Sequence, residues 1–205
     1  VLCGGQSSRM GRSKADLPFG SESMLQRVVR RLRELTEWVV VVHGIGQSLP
    51  AFDDRVVLAT DPIAFGGPLI GMSSGFRGLE QIPDAVDRVF ITSCDAPFLS
   101  PAFADRVISL LGDHDIAVPF DNDFHFPLAA AYHTRIASKL AQLIEAGQRR
   151  PRALFDICDT RRIPTDSLRG VDPQLKSLRN LNTPEDYRSA LQEASLPLPH
   201  WLGEE

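Results

Sequence analysis

Three cations, Arg9, Arg12 and Lys14, follow closely on a glycine pair, Gly4-Gly5. Glycine lets backbone approach a ligand, and successive turn N–H groups make an anion-binding concavity. The cations can neutralise what such amides cradle, so a polyphosphate is the guest this stretch suits. Two lone carboxylates stand elsewhere, each at the end of an apolar run: Asp61 after Val56–Ala59 and Asp95 after Val89–Thr92. A carboxylate beside a polyphosphate suits Mg²⁺, a hard cation that takes oxygen ligands from one or two carboxylates and from the phosphates themselves. The competing reading at both positions is turn chemistry, because Asp near Pro is a common turn former.

The spacing separates the glycine stretch from two other phosphate motifs. A Walker A loop needs four residues between its glycines and then Gly-Lys-Ser/Thr. Here five lie between Gly5 and Gly11, and Arg12-Ser13-Lys14 follows. The adjacent Gly4-Gly5 also fails the G-x-G-x-x-G dinucleotide fingerprint. A solvated Ser/Gly/Arg loop remains the plain alternative. It is disfavoured because the stretch leaves directly from the apolar Val1–Cys3, and open α/β sheets bind ligands beyond the carboxyl ends of their strands. A second glycine pair, Gly66-Gly67, feeds Pro68-Leu69, a helix start that can lie against a planar base. Asn180 and Asn182, at two-residue spacing, share one face if the chain there is extended. Arg149, Arg150 and Arg152 could hold a phosphate, although a solvated helix end is the favoured reading. His125 is expected to be a surface imidazole.

The first stretch resembles the loop of the molybdenum cofactor guanylyltransferases, L-x-G-G-x-S-x-R-M-G-x-x-K-x-x-L, through Leu2, Gly4, Gly5, Arg9, Met10, Gly11, Lys14 and Leu17. Gly67-Pro68-Leu69-Ile70-Gly71 is similar to that family's base-contacting G-P-L-x-G. Cys94 to Leu99 is similar to its metal-binding C-D-x-P-F-L, and Asn180 to Asp186 to its N-x-N-T-P-E-D. The four motifs occur in the family's order and span nearly the whole chain. The resemblance implies a transfer of GMP from GTP to the phosphate of molybdopterin, with Mg²⁺ as cofactor and pyrophosphate released. It implies catalytic roles for Arg9, Lys14 and Asp95, and a metal role for Asp95. Nucleotide contacts would come from Leu2, Cys3, Gly4, Gly5, Lys14, Asp61, Gly67, Pro68, Leu69 and Asp95, and pterin or metal contacts from Asn180 and Asn182. Molybdoenzyme chaperones or apoenzymes would be further partners.

Two departures stand out. Family members often carry His-Pro-Leu where this chain has His125-Phe126-Pro127-Leu128, and a family asparagine has no counterpart at His43-Gly44, which leaves one nucleotide contact unassigned. The L-x-G-G and G-P-L elements are of the guanine type, whereas cytidylyl relatives tend towards L-A-A-G. A cytidylyltransferase for the same pterin, a transferase for another small phosphate and a non-catalytic nucleotide- or cofactor-binding chaperone stay open as alternatives.

The elements that must position these residues follow from periodicity. The β-branched run at 39–42 reads as a strand buried on both faces, the apolar runs at 56–59, 89–92 and 116–120 as further strands, and amphipathic stretches between them as helices. One helix spans Met24 to Leu35 with Arg27, Arg30, Arg31 and Arg33 on a solvated face. Another runs from about Ile136 to Ala146, and a third starts at Thr183-Pro184. Phe126 to Tyr132 reads as an added antiparallel strand. The alternation predicts an α/β fold with a mostly parallel sheet and helices on both faces, and the resemblance implies that it is a three-layer Rossmann-like nucleotidyltransferase domain over 1–205, with a tail from 195 to 205.

The 205 residues suffice for one sizeable core, with 43% hydrophobic and 23% charged residues. A net charge of −4 argues against nucleic acid as an obligate partner. Cys3, Cys94 and Cys158 form neither a metal spacing nor a disulfide framework, which fits a reducing cytoplasm. No run is long enough to span a membrane and no signal peptide is visible. Since Val1 opens inside an apparent strand, a short preceding segment is expected.

Overall fold

The structure, a computed structural model, describes residues 1–4, 12–63 and 66–203. Its elements in order are β1 (Pro18–Phe19), β2 (Glu22–Ser23), α1 (Met24–Arg33), β3 (Val39–Gly44), β4 (Val56–Asp61), α2 (Pro68–Gly78), β5 (Arg88–Thr92), α3 (Pro101–Ser109), β6 (Ile116–Asp121), β7 (Phe124–His125), β8 (Ala129–His133), α4 (Ala137–Glu145), β9 (Thr160–Pro164), α5 (Pro184–Glu193) and α6 (His200–Gly203).

Residues 1–3 hold the sheet together. Leu2 pairs in parallel with Val42 of β3 on one side and with Ser93, just past β5, on the other. The Cys3 N–H donates to the Val42 carbonyl at 2.9 Å and the Leu2 N–H to the Thr92 carbonyl at 2.8 Å. The resulting order is β4, β3, residues 1–3, β5, β8, β6, β9, in which β8 alone runs against both neighbours. The mostly parallel sheet with an added antiparallel strand is therefore present, and the two-residue β7 also pairs antiparallel with the end of β6. The added strand starts later than the apolar pattern suggests: β7 and β8 are separated by 126–128, where Pro127 has no N–H to give a ladder.

Side chains of successive strand residues alternate between two helical layers. Ala117, Ala129 and Ala131 face α1 and α3, packing with Leu25, Val28, Phe103 and Val107. Ile116, Val118, Ala130 and Tyr132 face α2 and α4, packing with Leu69, Met72 and Leu140. Each large apolar side chain buried this way contributes about 1.5–3 kcal/mol. A third cluster joins Leu17, Phe19 and Met24 to Leu181, Tyr187, Leu191 and Leu202, so the C-terminal segment packs against the chain just beyond Lys14.

Helix starts obey local rules. Ser23 and Gln26 form a reciprocal capping box on α1, as do Thr183 and Asp186 on α5. Pro68, Pro101 and Pro184 occupy first turns, where the missing N–H costs nothing. α1 ends at Arg33, two residues short of the expected Leu35, which is exposed. Two of its arginines are not simply solvated: Arg27 Nε donates to the Pro97 carbonyl at 2.8 Å and Arg31 Nε to that of Leu99 at 3.2 Å. They stitch α1 to the segment following Asp95. Among the described residues, no helix is long and apolar enough to cross a membrane.

Candidate active site

Parallel strands end together, so the residues leaving β3, β4, β5 and the 1–3 strand collect at one edge of the sheet. From residues 1–3 the chain runs outward to β3 and β4 on one side, then crosses back through α2 to β5 on the other, so the strand order reverses at residues 1–3. That is a topological switch point, where open α/β sheets form a ligand crevice. Gly4 emerges there beside β3; a Cβ on it would lie 3.4 Å from the Gly44 nitrogen. Gly5 and Arg9, expected to cradle and neutralise phosphate, lie outside the described residues.

Lys14 follows in a short 3-10 turn, Lys14–Asp16, pinned by the buried Ala15 and Leu17. Its ammonium donates to Asp95 Oδ2 at 2.7 Å and to Asn182 Oδ1 at 2.9 Å. The other carboxylate oxygen, Asp95 Oδ1, accepts from the Ser93 hydroxyl at 2.5 Å. The Asp95 carbonyl accepts from the Leu181 N–H at 2.9 Å, which ties the Asn180–Asn182 segment to the end of β5. Leu181 is fully buried while Asn180 and Asn182 are exposed, the alternation of an extended chain. Asp186 accepts from the N–H groups of Asn182 and Thr183, both at 3.0 Å, and these bonds hold its carboxyl below the usual range. The cap of α5 thereby fixes Asn182.

A family model for the MobA-like NTP transferase domain matches residues 1–163. The chain belongs to the MobA-like NTP transferase family. This MobA-like transferase is 34% identical over 197 residues to a probable molybdenum cofactor guanylyltransferase of Mycobacterium avium (strain 104), covering 94% of this chain and 93% of the relative. It is 31% identical over 192 residues to the molybdenum cofactor guanylyltransferase of Desulfosudis oleivorans, with 93% and 92% covered. Among solved structures, molybdopterin-guanine dinucleotide biosynthesis protein A from Archaeoglobus fulgidus superposes with a TM-score of 0.75 at 20% identity over 95% of this chain and 97% of that one. The 2-C-methyl-D-erythritol 4-phosphate cytidylyltransferase of Thermus thermophilus does so with 0.66 at 15% identity, covering 95% and 97%. These two likenesses are of fold.

In the MobA-like transferase the second glycine pair lies at the same sheet edge. Gly67 caps α2 with φ +92°, and a Cβ there would stand 2.9 Å from the Arg149 carbonyl oxygen. That carbonyl accepts from the Leu69 N–H at 3.2 Å. Leu69 turns its side chain wholly into the core, while Pro68 is exposed. Arg149 itself donates to the Ile144 carbonyl at the end of α4, as a helix-end arginine does. Asp61 closes β4 and accepts from the Ile63 N–H at 3.0 Å, so the turn role is real. Its other oxygen faces α2, where a Cβ on Gly71 would come within 3.8 Å of it and 3.5 Å of Leu2.

Several contributors carry no sequence signal. Gln47 fills the space beside His43-Gly44: its carboxamide accepts from the Gly44 N–H at 3.1 Å and donates to the Cys3 carbonyl at 3.2 Å, clamping the two strand ends. Ser93 was hidden as an ordinary strand-end serine. His125 is not a surface imidazole. It stacks on Phe120 and meets Phe155 at a tilt, and burial together with Arg162 lowers its pKa. Burial pushes the Cys3 thiol up to about 11 and raises Cys94 as well, so both are inert, protonated core groups.

Proposed function

We propose that this chain transfers GMP from GTP to the phosphate of molybdopterin, forming the guanine dinucleotide and releasing pyrophosphate. The observation that carries this reading is the meeting of Lys14, Asp95 and Asn182 at the switch-point edge of the sheet. The curated relatives bearing the guanylyltransferase name support the substrates.

A phosphate monoester is already anionic near neutral pH, so no side-chain nucleophile is needed, and positioning and charge stabilisation carry the catalysis. Backbone amides about Gly4 and Gly5 would hold phosphate oxygens. Lys14, held between a carboxylate and a carboxamide, would offset charge on the transferring and leaving groups. Arg9 would add to that charge. The edge formed by Gly67-Pro68 would receive the base, with Asp61, Leu2 and Cys3 at its floor, and Asn180 and Asn182 would face the pterin.

The donor chemistry fits Mg²⁺: the Asp95 carboxylate, the Asn182 carboxamide and the Ser93 hydroxyl all present oxygen. Among the described residues no group of three or more His, Cys, Asp or Glu could cage a metal alone, so substrate phosphates would complete the shell. When bound, the ion would neutralise phosphate charge.

The test is incubation of the protein with molybdopterin and each nucleoside triphosphate in turn, with the product identified by mass. A guanine dinucleotide and pyrophosphate are expected with GTP. A cytosine product would make the chain a cytidylyltransferase, and binding without pyrophosphate release would make it a carrier.

A further inference from the structure

Through Trp201 of α6 and Tyr187 of α5, the C-terminal segment touches the chain on both sides of Lys14. Before it, the Arg12 guanidinium carbon lies over the Trp201 indole, 5.0 Å from the ring centroid. Beyond it, the Tyr187 hydroxyl donates to the Pro18 carbonyl. Trp201 and Tyr187 are themselves stacked, with centroids 6.0 Å apart and planes 7° apart. The tail is anchored independently of the indole: Leu202 is buried, Arg188 donates to its carbonyl at 2.9 Å, and Leu196 packs on Gly20.

We propose that Trp201 is a positioning residue for the triphosphate: its indole holds Arg12 at the sheet edge as a fully charged phosphate partner next to Lys14. This deepens the function proposed above and rests on it. A guanidinium in this place could have been held by a carboxylate, as Lys14 is by Asp95. A carboxylate would cancel the charge that phosphate needs. An aromatic face attracts the cation through its quadrupole and leaves the charge in place. The planar guanidinium also stacks while its N–H fork stays directed outward, a geometry that an ammonium cannot offer.

The experiment compares the full-length protein with Trp201→Leu, Trp201→Phe, Arg12→Ala and the Arg12→Ala/Trp201→Leu double variant. Equilibrium binding of GTP with Mg²⁺ is measured by calorimetry, KM and kcat by pyrophosphate release, and melting temperature alongside. The expected result is a rise in Kd and KM for GTP of about two- to five-fold for Trp201→Leu, the size of a partly exposed cation–π contact. kcat should change less than KM, Trp201→Phe should recover most of the loss, and the double variant should bind no worse than Arg12→Ala alone. Unchanged GTP affinity in Trp201→Leu overturns the proposal. So do additive losses in the double variant, or a loss that follows melting temperature and that phenylalanine does not rescue. Should Trp201→Leu fail to fold, the comparison of Trp201→Phe with the surface variant Arg12→Ala still decides: wild-type GTP affinity in Arg12→Ala overturns it. A wild type that binds GTP but makes no dinucleotide defeats the proposed reaction and leaves the binding comparison standing. A wild type that binds no nucleoside triphosphate defeats both.

Discussion

The Lys14 ammonium stands 2.7 Å from the Asp95 carboxylate, across 81 positions of sequence, with only 17% and 12% of the two side chains exposed. Asn182 completes the triangle from 168 positions away. The ammonium is thus aimed before any substrate arrives, and catalysis by charge stabilisation depends on such alignment being made in advance.

Lys14→Ala is expected to lower the turnover of GTP and molybdopterin by about 10²–10³-fold, the cost of one preorganised charge partner. Lys14→Arg should recover little, because a planar fork does not replace a compact ammonium between the Asp95 carboxylate and the Asn182 carboxamide. Steady-state pyrophosphate release gives the answer; rates like those of the wild type would remove Lys14 from the site.

Asp95→Ala should nearly abolish transfer and leave the fold in place. The backbone carbonyl that receives Leu181 is unaffected, and Ser93 loses only a hydroxyl partner at the sheet edge. Circular dichroism and activity in a Mg²⁺ titration read the two effects apart. An active variant with unchanged metal dependence would place the ion elsewhere.

Thermal protection should discriminate among nucleotides. A ligand at about 100 times its Kd stabilises by about 2.7 kcal/mol, which for a chain of this size is a rise of about 5–10 °C. GTP with Mg²⁺ should give such a shift and CTP much less. Equal shifts would break the guanine assignment.

Gly67→Ala is predicted to destabilise by more than about 1 kcal/mol. The new Cβ meets the Arg149 carbonyl at 2.9 Å and φ is +92°, so the Leu69 bond to that carbonyl must distort. Chemical denaturation measures the loss, and weaker GTP binding should accompany it.

Asp115 supplies a pH test away from the site. Burial pushes its carboxyl up, but bonds from Lys139, Arg135 and the Asp159 N–H outweigh that and hold it at about 2, down from 3.8. A depressed folded value means stability that is fully present above the unfolded pKa and lost as pH falls through the folded one. Asp115→Asn should therefore melt below the wild type at neutral pH. The gap should narrow from about pH 4 downward and close only below about pH 2. A gap that does not change with pH would refute the ion pairs.

Local chemistry made much of this molecule readable in advance. The Thr183–Asp186 cap, the prolines in first turns and the β-branched strands act within a few residues and are present as expected. Apart from the element ends at Leu35 and Pro127, the misreadings are long-range. The arginines of α1 look solvated until the 97–99 segment packs against them. His125 looks exposed until Phe155, 30 positions away, packs against it. Nothing about Gln47 announces that it will join β3 to the first strand.

By itself, the sequence offered candidates for phosphate, base and metal contacts and determined most strands, helices and helix starts, because periodicity and capping are encoded by near neighbours. Tertiary structure alone decided which of their ends meet. Strand order is set by non-local pairing: Leu2 between Val42 and Ser93 brings the exits of β3 and β5 to one edge. The packing of Leu181, Tyr187 and Leu202 against Leu17 then carries Asn182 and Trp201 to Lys14 and Arg12.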